Sequence, residues 1–530
     1  MKSGWVLVVI TTVAMALRLV VVDKRPLGFT WDEAALGYNA YSLLLTGRDE
    51  YGQPLPVVLK SFGDYKPGLY SYLAVPLVKV FGLTETATRL PSVIAGTLAV
   101  VSLFLLARHL TNSRAALFAA GTLAVSPWAI HFSRGAWEAN VALLLTILGT
   151  LLFIRKKYLL AVIFLGLTFW TYQGAKLFTP LLGLSLVFTY RPRLNLKTWV
   201  MPGLVGLGLL LPIVLGWGSQ SGRLKVFSVF SYRRPDAQIV EILKQDQLAL
   251  PNWSFYLWHS ESYDQLRGIV QRYANHLSPY FLFVAGDWAN NRHATPYYGY
   301  FHPVEIFLLV LGVYQLIKNS HPHHRLIWSW LLLAPLPAAL SRDIISGVRS
   351  LPLVIPLAII IGMGWASLSR HKLLSLAAGL VLLFFVVYWA DLYFVHLPFF
   401  SSADWLVAYK PAWQVVKANA DSYEKVVFTD KLGQPYIFGL FYLHVDPRIY
   451  QVHARLVENN QGDVGSVTSF DKYEFRPLFW PADRSLGHTL FVGGQYELPE
   501  TDLSGVPNLV RLGEIKYPDN TVGLKIVGIK

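Results

Sequence analysis

The chain has 530 residues, of which 54% are hydrophobic and 14% aromatic, with 46 Lys and Arg against 32 Asp and Glu. That apolar content exceeds what a soluble domain carries and calls for lipid as a second solvent. There is no cysteine, which excludes disulfides, thiolate catalysis and thiolate metal sites.

Apolar stretches near the roughly 20 residues that cross a bilayer recur from the start of the chain to Trp389 and then stop. They fall at 4–22, 88–107, 115–131, 137–154, 158–172, 175–190, 198–216, 303–317, 326–340, 351–368 and 373–392, which predicts eleven helical spans. The first is long enough to span and lacks a small-residue cleavage site, so a retained helix is expected in place of a signal peptide. With a cytoplasmic N-terminus, the inside loops hold Lys2, Arg108, Arg114, Arg155, Lys156, Lys157, Arg191, Arg193, Lys197, Lys318, Arg325, Arg370 and Lys372 and no acid. The formal charge of +14 is thus almost wholly an inside bias, and a nucleic-acid partner is not called for. A multi-pass cell-membrane protein is expected, with its C-terminal region extracytoplasmic.

Three outside segments are long: 23–86, 217–302 and 398–530. The expected organisation is a transmembrane domain over 1–397 with the first two as outer loops, then a soluble α/β domain over 398–530. In the first loop, 32–45 and 67–81 read as amphipathic helices lying along the membrane surface, with Thr30 as N-cap of the first. The second loop holds amphipathic stretches at 236–248 and 262–277 and an aromatic-rich run, 281–301. In the tail, helices are expected at 412–419 and 435–442 and strands at 425–429, 488–493, 508–516 and 521–529. No glycine-rich phosphate loop or repeat is present.

Ionisable residues at the outer boundary are the candidates for chemistry. Asp32 and Glu33 stand where the helix dipole favours acids, so capping and catalysis are both open. Asp64 and Lys66 lie in SFGDYKPGLY, where a lysine at the lipid interface serves either as a phosphate ligand or as an ordinary anchor. Arg134 and Glu138, four apart in SPWAIHFSRGAWEAN, read as an ion pair or as substrate ligands. Lys176, Arg342 and Arg349 sit at outer helix ends, and Arg18 is close enough to one to snorkel. Bases on separate loops with acids among them suit a phosphate ester plus a general base. His259, His276, His293 and His302 are all outside without metal-ligand spacing, so a divalent metal is left open.

The runs TWDEAALGYNAYSLLLTGRDEYG, GDYKPGLYSYLAVPLVKVFG and TETATRLPSVIAGTL resemble the first outer loop and second helix of the protein O-mannosyltransferase and aminoarabinose lipid A transferase superfamily. These are glycosyltransferases of the GT-C fold, and the resemblance is clear over about residues 1–190. It implies a polyprenyl-phosphate sugar as donor, a protein, lipid or glycan acceptor, Asp32 as the base that activates the acceptor hydroxyl, Lys66 as a ligand of the donor phosphate, and Glu33 as a residue that binds or orients substrate. One displacement would invert the anomeric centre. Two departures stand out: Glu138 where relatives commonly carry Asp, and Tyr65, with Asp64 one earlier, where lipid A transferases carry an acid before Lys-Pro. The rivals are a lipid-carrier flippase, which needs polar groups spread through the membrane depth, and a non-catalytic scaffold.

Overall fold

The computed structural model describes residues 2–193, 195–216, 218, 228–231, 233–319, 321–458 and 464–530. The start of the second long outer segment, 219–227, lies outside the described residues.

All eleven apolar stretches are helical, though two are interrupted. The chain opens with α1 (Lys2–Leu19), α2 (Trp31–Thr46), a hairpin of β1 (Val58–Ser61) and β2 (Asp64–Pro67), α3 (Leu69–Phe81) and α4 (Glu85–Leu110). Then follow α5 (Ser113–Val125), α6 (Pro127–Arg134), α7 (Glu138–Ile154), α8 (Tyr158–Leu167), α9 (Ala175–Tyr190) and α10 (Leu196–Leu215). Apolar helices recur at Glu305–Lys318, His324–Leu333, Val354–Leu368 and Lys372–Asp391. Among the described residues four helices qualify as spans by length and hydropathy, and a fifth if α5 and α6, bent by 52°, are one.

The bend has a local cause. Pro127 carries no N–H and cannot continue the α5 ladder, and the Ser126 hydroxyl caps the new helix by accepting the Ala129 N–H. The carbonyls of Leu123 and Ala124 so released accept from the Arg18 guanidinium at 3.0 Å each. Arg18 therefore does not snorkel: it is fully buried because a helix break beside it needs a donor. Close packing elsewhere depends on small residues. A side chain at Gly312 or Gly364 would meet the backbone of Ile360 or Leu308 at 1.9 or 2.0 Å, so the Glu305–Lys318 and Val354–Leu368 helices approach backbone to backbone.

The tail forms a seven-stranded sheet in the order β4-β5-β6-β3-β7-β9-β8. Its strands are β3 (Lys425–Phe428), β4 (Arg455–Val457), β5 (Ser466–Phe470), β6 (Tyr473–Phe475), β7 (Thr489–Gly493), β8 (Leu509–Lys516) and β9 (Val522–Ile529). Strand β3 runs parallel to β6 and β7, and the remaining pairs are antiparallel. Val427, Phe491 and Val527 cover one face with Trp480 and Leu498.

The other face joins a core that includes Ala34, Tyr38, Phe62, Ala74 and Val78 together with Tyr409, Trp413, Phe438 and Ile526. Helix α2 thus does not lie along a membrane surface with one wet side; ten of its residues are buried, between the tail helix Pro435–Leu443, α3 and α4. The expected helix over 67–81 begins only at Leu69, because Asp64–Pro67 pairs as a strand.

Candidate active site

The site begins at the N-terminus of α2. Thr30 is extended (φ −82°, ψ 160°); its hydroxyl accepts the Glu33 N–H while the Glu33 carboxylate accepts the Thr30 N–H, a capping box. The Glu33 carboxylate is buried and takes two further partners: the Arg89 guanidinium at 2.9 and 3.2 Å and the Ala136 N–H at 2.9 Å. Arg89, fully buried on α4, also donates to the carbonyls of Val22, Pro26 and Gly28. Glu33 is therefore the hub that fixes α1, α2, α4 and the α6–α7 corner, and it presents the neighbouring Asp32 at the first turn.

Asp32 faces the hairpin. Val58–Pro67 pairs antiparallel through a two-residue turn at Phe62 and Gly63, with φ of 41° and 75°, the doubly left-handed turn whose twist matches its strands. The tail grips that turn: the Phe62 N–H donates to the Tyr436 hydroxyl and the Phe62 carbonyl accepts the Gly465 N–H. Lys66 on β2 lies opposite Leu59, so its ammonium reaches back to α2, pairs with the Asp32 carboxylate and sits 4.2 Å over the Phe62 ring. The Lys66 side chain is 5% exposed and that of Asp32 39%, so the pair opens to solvent on the carboxylate side.

Two other segments close around Asp32 by way of Trp31. The Arg292 guanidinium lies 5.2 Å over the Trp31 ring. From the tail, Gly433 (φ +114°) abuts that ring so closely that a Cβ would stand 2.6 Å from it. The loop carrying Arg292 is pinned: Asp287, buried, pairs with His293 at 2.9 Å and accepts the Gly347 N–H, while the Arg292 carbonyl bonds the His131 ring at 2.7 Å. Gln173, ahead of α9, donates to the Tyr65 carbonyl at 3.2 Å.

The remaining sequence candidates fall as follows. Asp64 is buried on β2, where its carboxylate accepts the Tyr65 N–H at 2.8 Å. Arg134 is buried and, in place of the expected pairing with Glu138, donates to the backbone carbonyls of Leu17, Val20 and Arg25, closing the C-terminal end of α1 and the turn after it. Glu138 is half-buried in the first turn of α7; burial, with Glu33 and Glu138 nearby, pushes the Tyr70 phenol well above its usual range. Lys176 is half-buried in the first turn of α9. Arg349 pairs with Asp343 and donates to the Ser346 hydroxyl. His276, His293 and His302 hold separate loop contacts, and among the described residues no three His, Cys, Asp or Glu side chains gather as metal ligands.

The sequence reading left out two residues of this network, Arg89 and Glu50. Arg89 stood in the Arg-Leu-Pro run, but a lone base inside an apolar stretch does not reveal its partner. Glu50 stood in GRDEYG, which reads as a polar loop. It is in fact fully buried, its carboxylate accepting from Asn39, Ser61 and Tyr436.

Apolar helices, long outer loops and an α/β tail packed on α2 and the hairpin give a fold of the GT-C type. Residues 65–217 match the model of the dolichyl-phosphate-mannose-protein mannosyltransferase family. Over 99% of the chain the fold is similar to that of ArnT from Cupriavidus metallidurans, in the apo state (TM-score 0.55, 12% identity) and bound to undecaprenyl phosphate (TM-score 0.53, 14% identity), covering 98% of each. It is also similar to the Archaeoglobus fulgidus oligosaccharyltransferase tethered to an acceptor peptide, with a TM-score of 0.51 and 12% identity over 99% of this chain and 74% of that one. Curated protein sequences gave no match.

Proposed function

We propose that this protein transfers a sugar from a polyprenyl-phosphate donor to an acceptor hydroxyl at the outer face of the membrane. The observation that carries this reading is the Asp32–Lys66 pair, a half-exposed carboxylate on a buried ammonium, set in a GT-C fold and held from behind by the Glu33–Arg89 pair.

The chemistry divides between the two side chains. The acceptor O–H gives its proton to Asp32 as its oxygen bonds to the anomeric carbon, a step general-base catalysis accelerates by about 10²–10⁴. The bond from that carbon to the phosphate oxygen breaks, the electron pair stays on the phosphate, and Lys66 stabilises the charge. One displacement inverts the anomeric centre. Lys66 releases Asp32 when the donor phosphate arrives, so donor binding frees the base. Glu33, saturated by donors, orients Asp32 without touching substrate, and Arg134 braces α1 in the same way. Asp64, Glu138, Lys176 and Arg349 belong to the walls of the site in this reading, and the acceptor is a protein, lipid or glycan. The reading includes the eleven-span topology with the tail outside.

Purified protein in lipid nanodiscs, given a panel of radiolabelled polyprenyl-phosphate sugars, is expected to consume at least one, and Lys66→Ala to bind undecaprenyl phosphate at least about tenfold more weakly through loss of a charge-assisted contact of about 1.5–3 kcal/mol. A panel left untouched, or a variant that binds as the wild type does, contradicts the assignment.

A further inference from the structure

The parallel part of the tail sheet ends beside the site. Strands β6, β3 and β7 are adjacent and run the same way, with Phe475, Phe428 and Val492 level across them. After β3 the chain crosses to one face of the sheet through Pro435–Leu443, whose Phe438 shares a core with Val426 and Phe428. After β6 it crosses to the other face, where Trp480 shares a core with Val427. Connections that leave neighbouring parallel strands on opposite faces open a crevice beyond the carboxyl ends of the strands, the place where open α/β sheets take their ligands.

One buried carboxylate knots this end together. Glu497 accepts the Thr429 hydroxyl after β3 at 3.0 Å, the Leu478 N–H after β6 at 2.9 Å and the Gly494 N–H after β7 at 3.0 Å, with the Lys431 ammonium at 3.3 Å. The neighbours of these anchors are thereby gathered at one place. Phe479 follows Leu478 and is 67% exposed; Tyr496 precedes Glu497 and is 89% exposed. Asp430 and Lys431 follow Thr429. The Lys431 side chain is exposed, and among the described residues no donor of another residue reaches the Asp430 carboxylate. The Gly433 N–H bonds the Asp430 carbonyl at 2.9 Å, a turn that keeps the two Cα atoms less than about 7 Å apart, and Gly433 abuts the ring of Trp31, the neighbour of Asp32.

We propose that this carboxyl edge of the tail sheet binds a carbohydrate acceptor, with sugar rings on the exposed faces of Tyr496 and Phe479 and sugar hydroxyls on Asp430 and Lys431. The inference rests on the transferase reading above and selects the glycan among the acceptors that reading leaves open. A pyranose has a C–H face that suits the electron-rich face of an aromatic ring, and its hydroxyls need both acceptors and donors, which a carboxylate and an ammonium supply. An extended peptide has no comparable hold here: β6, β3 and β7 are each paired on both sides, so no strand edge is open for it to join. The 430–433 turn joins this edge to the Trp31 ring, which brings a chain of sugars held there to Asp32.

The test is transfer of label from a polyprenyl-phosphate sugar by the full-length protein in lipid nanodiscs, offered oligosaccharides cut from mannan, chitin, xylan and glucan and, separately, a pool of Ser- and Thr-containing peptides. Label is expected in at least one oligosaccharide. Tyr496→Ala combined with Phe479→Ala should raise the KM for that oligosaccharide at least about tenfold, with undecaprenyl phosphate Kd within about twofold of wild type and the melting temperature unchanged. Tyr496→Phe, which keeps the ring, should hold the wild-type KM. Label confined to peptide, lipid or free sugar overturns the inference and leaves the transferase standing, as does an oligosaccharide KM that the double variant does not move or that Tyr496→Phe raises as far. If wild type consumes no donor, the transferase reading falls and takes the inference along.

Discussion

Arg89→Leu removes the cation from a buried pair while keeping a shorter, aliphatic side chain. The Glu33 carboxylate retains the N–H groups of Thr30 and Ala136 but loses both guanidinium bonds, and the carbonyls of Val22, Pro26 and Gly28 lose their donor. Removing one partner of a buried ion pair costs about 3–5 kcal/mol because the surviving charge is uncompensated, and that range is expected here. The assay is equilibrium unfolding by SDS in mixed micelles, followed by tryptophan fluorescence. A second variant separates charge from packing: Glu33→Gln together with Arg89→Leu leaves no orphan charge and should sit closer to wild type than the sum of the single changes, with a coupling of about 0.5–3 kcal/mol. An Arg89→Leu protein within about 0.5 kcal/mol of wild type, where ordinary surface substitutions fall, would refute the claim that this pair carries the site.

Other consequences can be checked with the same preparations. Arg134→Ala should lower stability by about 1–3 kcal/mol through the orphaned carbonyls of Leu17, Val20 and Arg25, with undecaprenyl phosphate affinity unchanged; the reverse pattern would restore it as a phosphate ligand. Gly433→Ala forces both an unfavourable φ and a contact with Trp31, so a loss of about 1–3 kcal/mol and an altered Trp31 fluorescence environment are expected; a neutral effect would show that this approach is not tight. Glu50 binds its proton more tightly folded than unfolded, so wild-type stability should fall as pH rises from about 4.5 through about 8. Glu50→Gln should lack that part of the decline in melting temperature, and an identical decline in both proteins would contradict the burial of its charge.

Local chemistry carried far in the sequence and then stopped at long-range pairing. Thr30 with Glu33 is a capping signature readable within four residues, and β3, β7, β8 and β9 emerge as short runs rich in β-branched and apolar residues. The hairpin did not, because its strands are four residues each and its turn carries Phe-Gly in place of the usual Asn-Gly. Strands β4, β5 and β6 are also short, and β6 leans on β3, far back in the sequence. The acids of the site were legible but their division of labour was not: Glu33 is set apart from Asp32 by a base 56 residues away, and Arg18 looked like a snorkelling residue only because the break at Pro127 is invisible from α1.

The central claim is that Asp32 takes the acceptor proton while Lys66 holds the donor phosphate. Its most direct test is sugar transfer by wild type and Asp32→Asn in lipid nanodiscs, alongside undecaprenyl phosphate binding by both. The account predicts that Asp32→Asn folds and binds the phosphate, through a Lys66 freed of its partner, yet transfers at least about 10²-fold more slowly. An Asp32→Asn protein that transfers at the wild-type rate would contradict it.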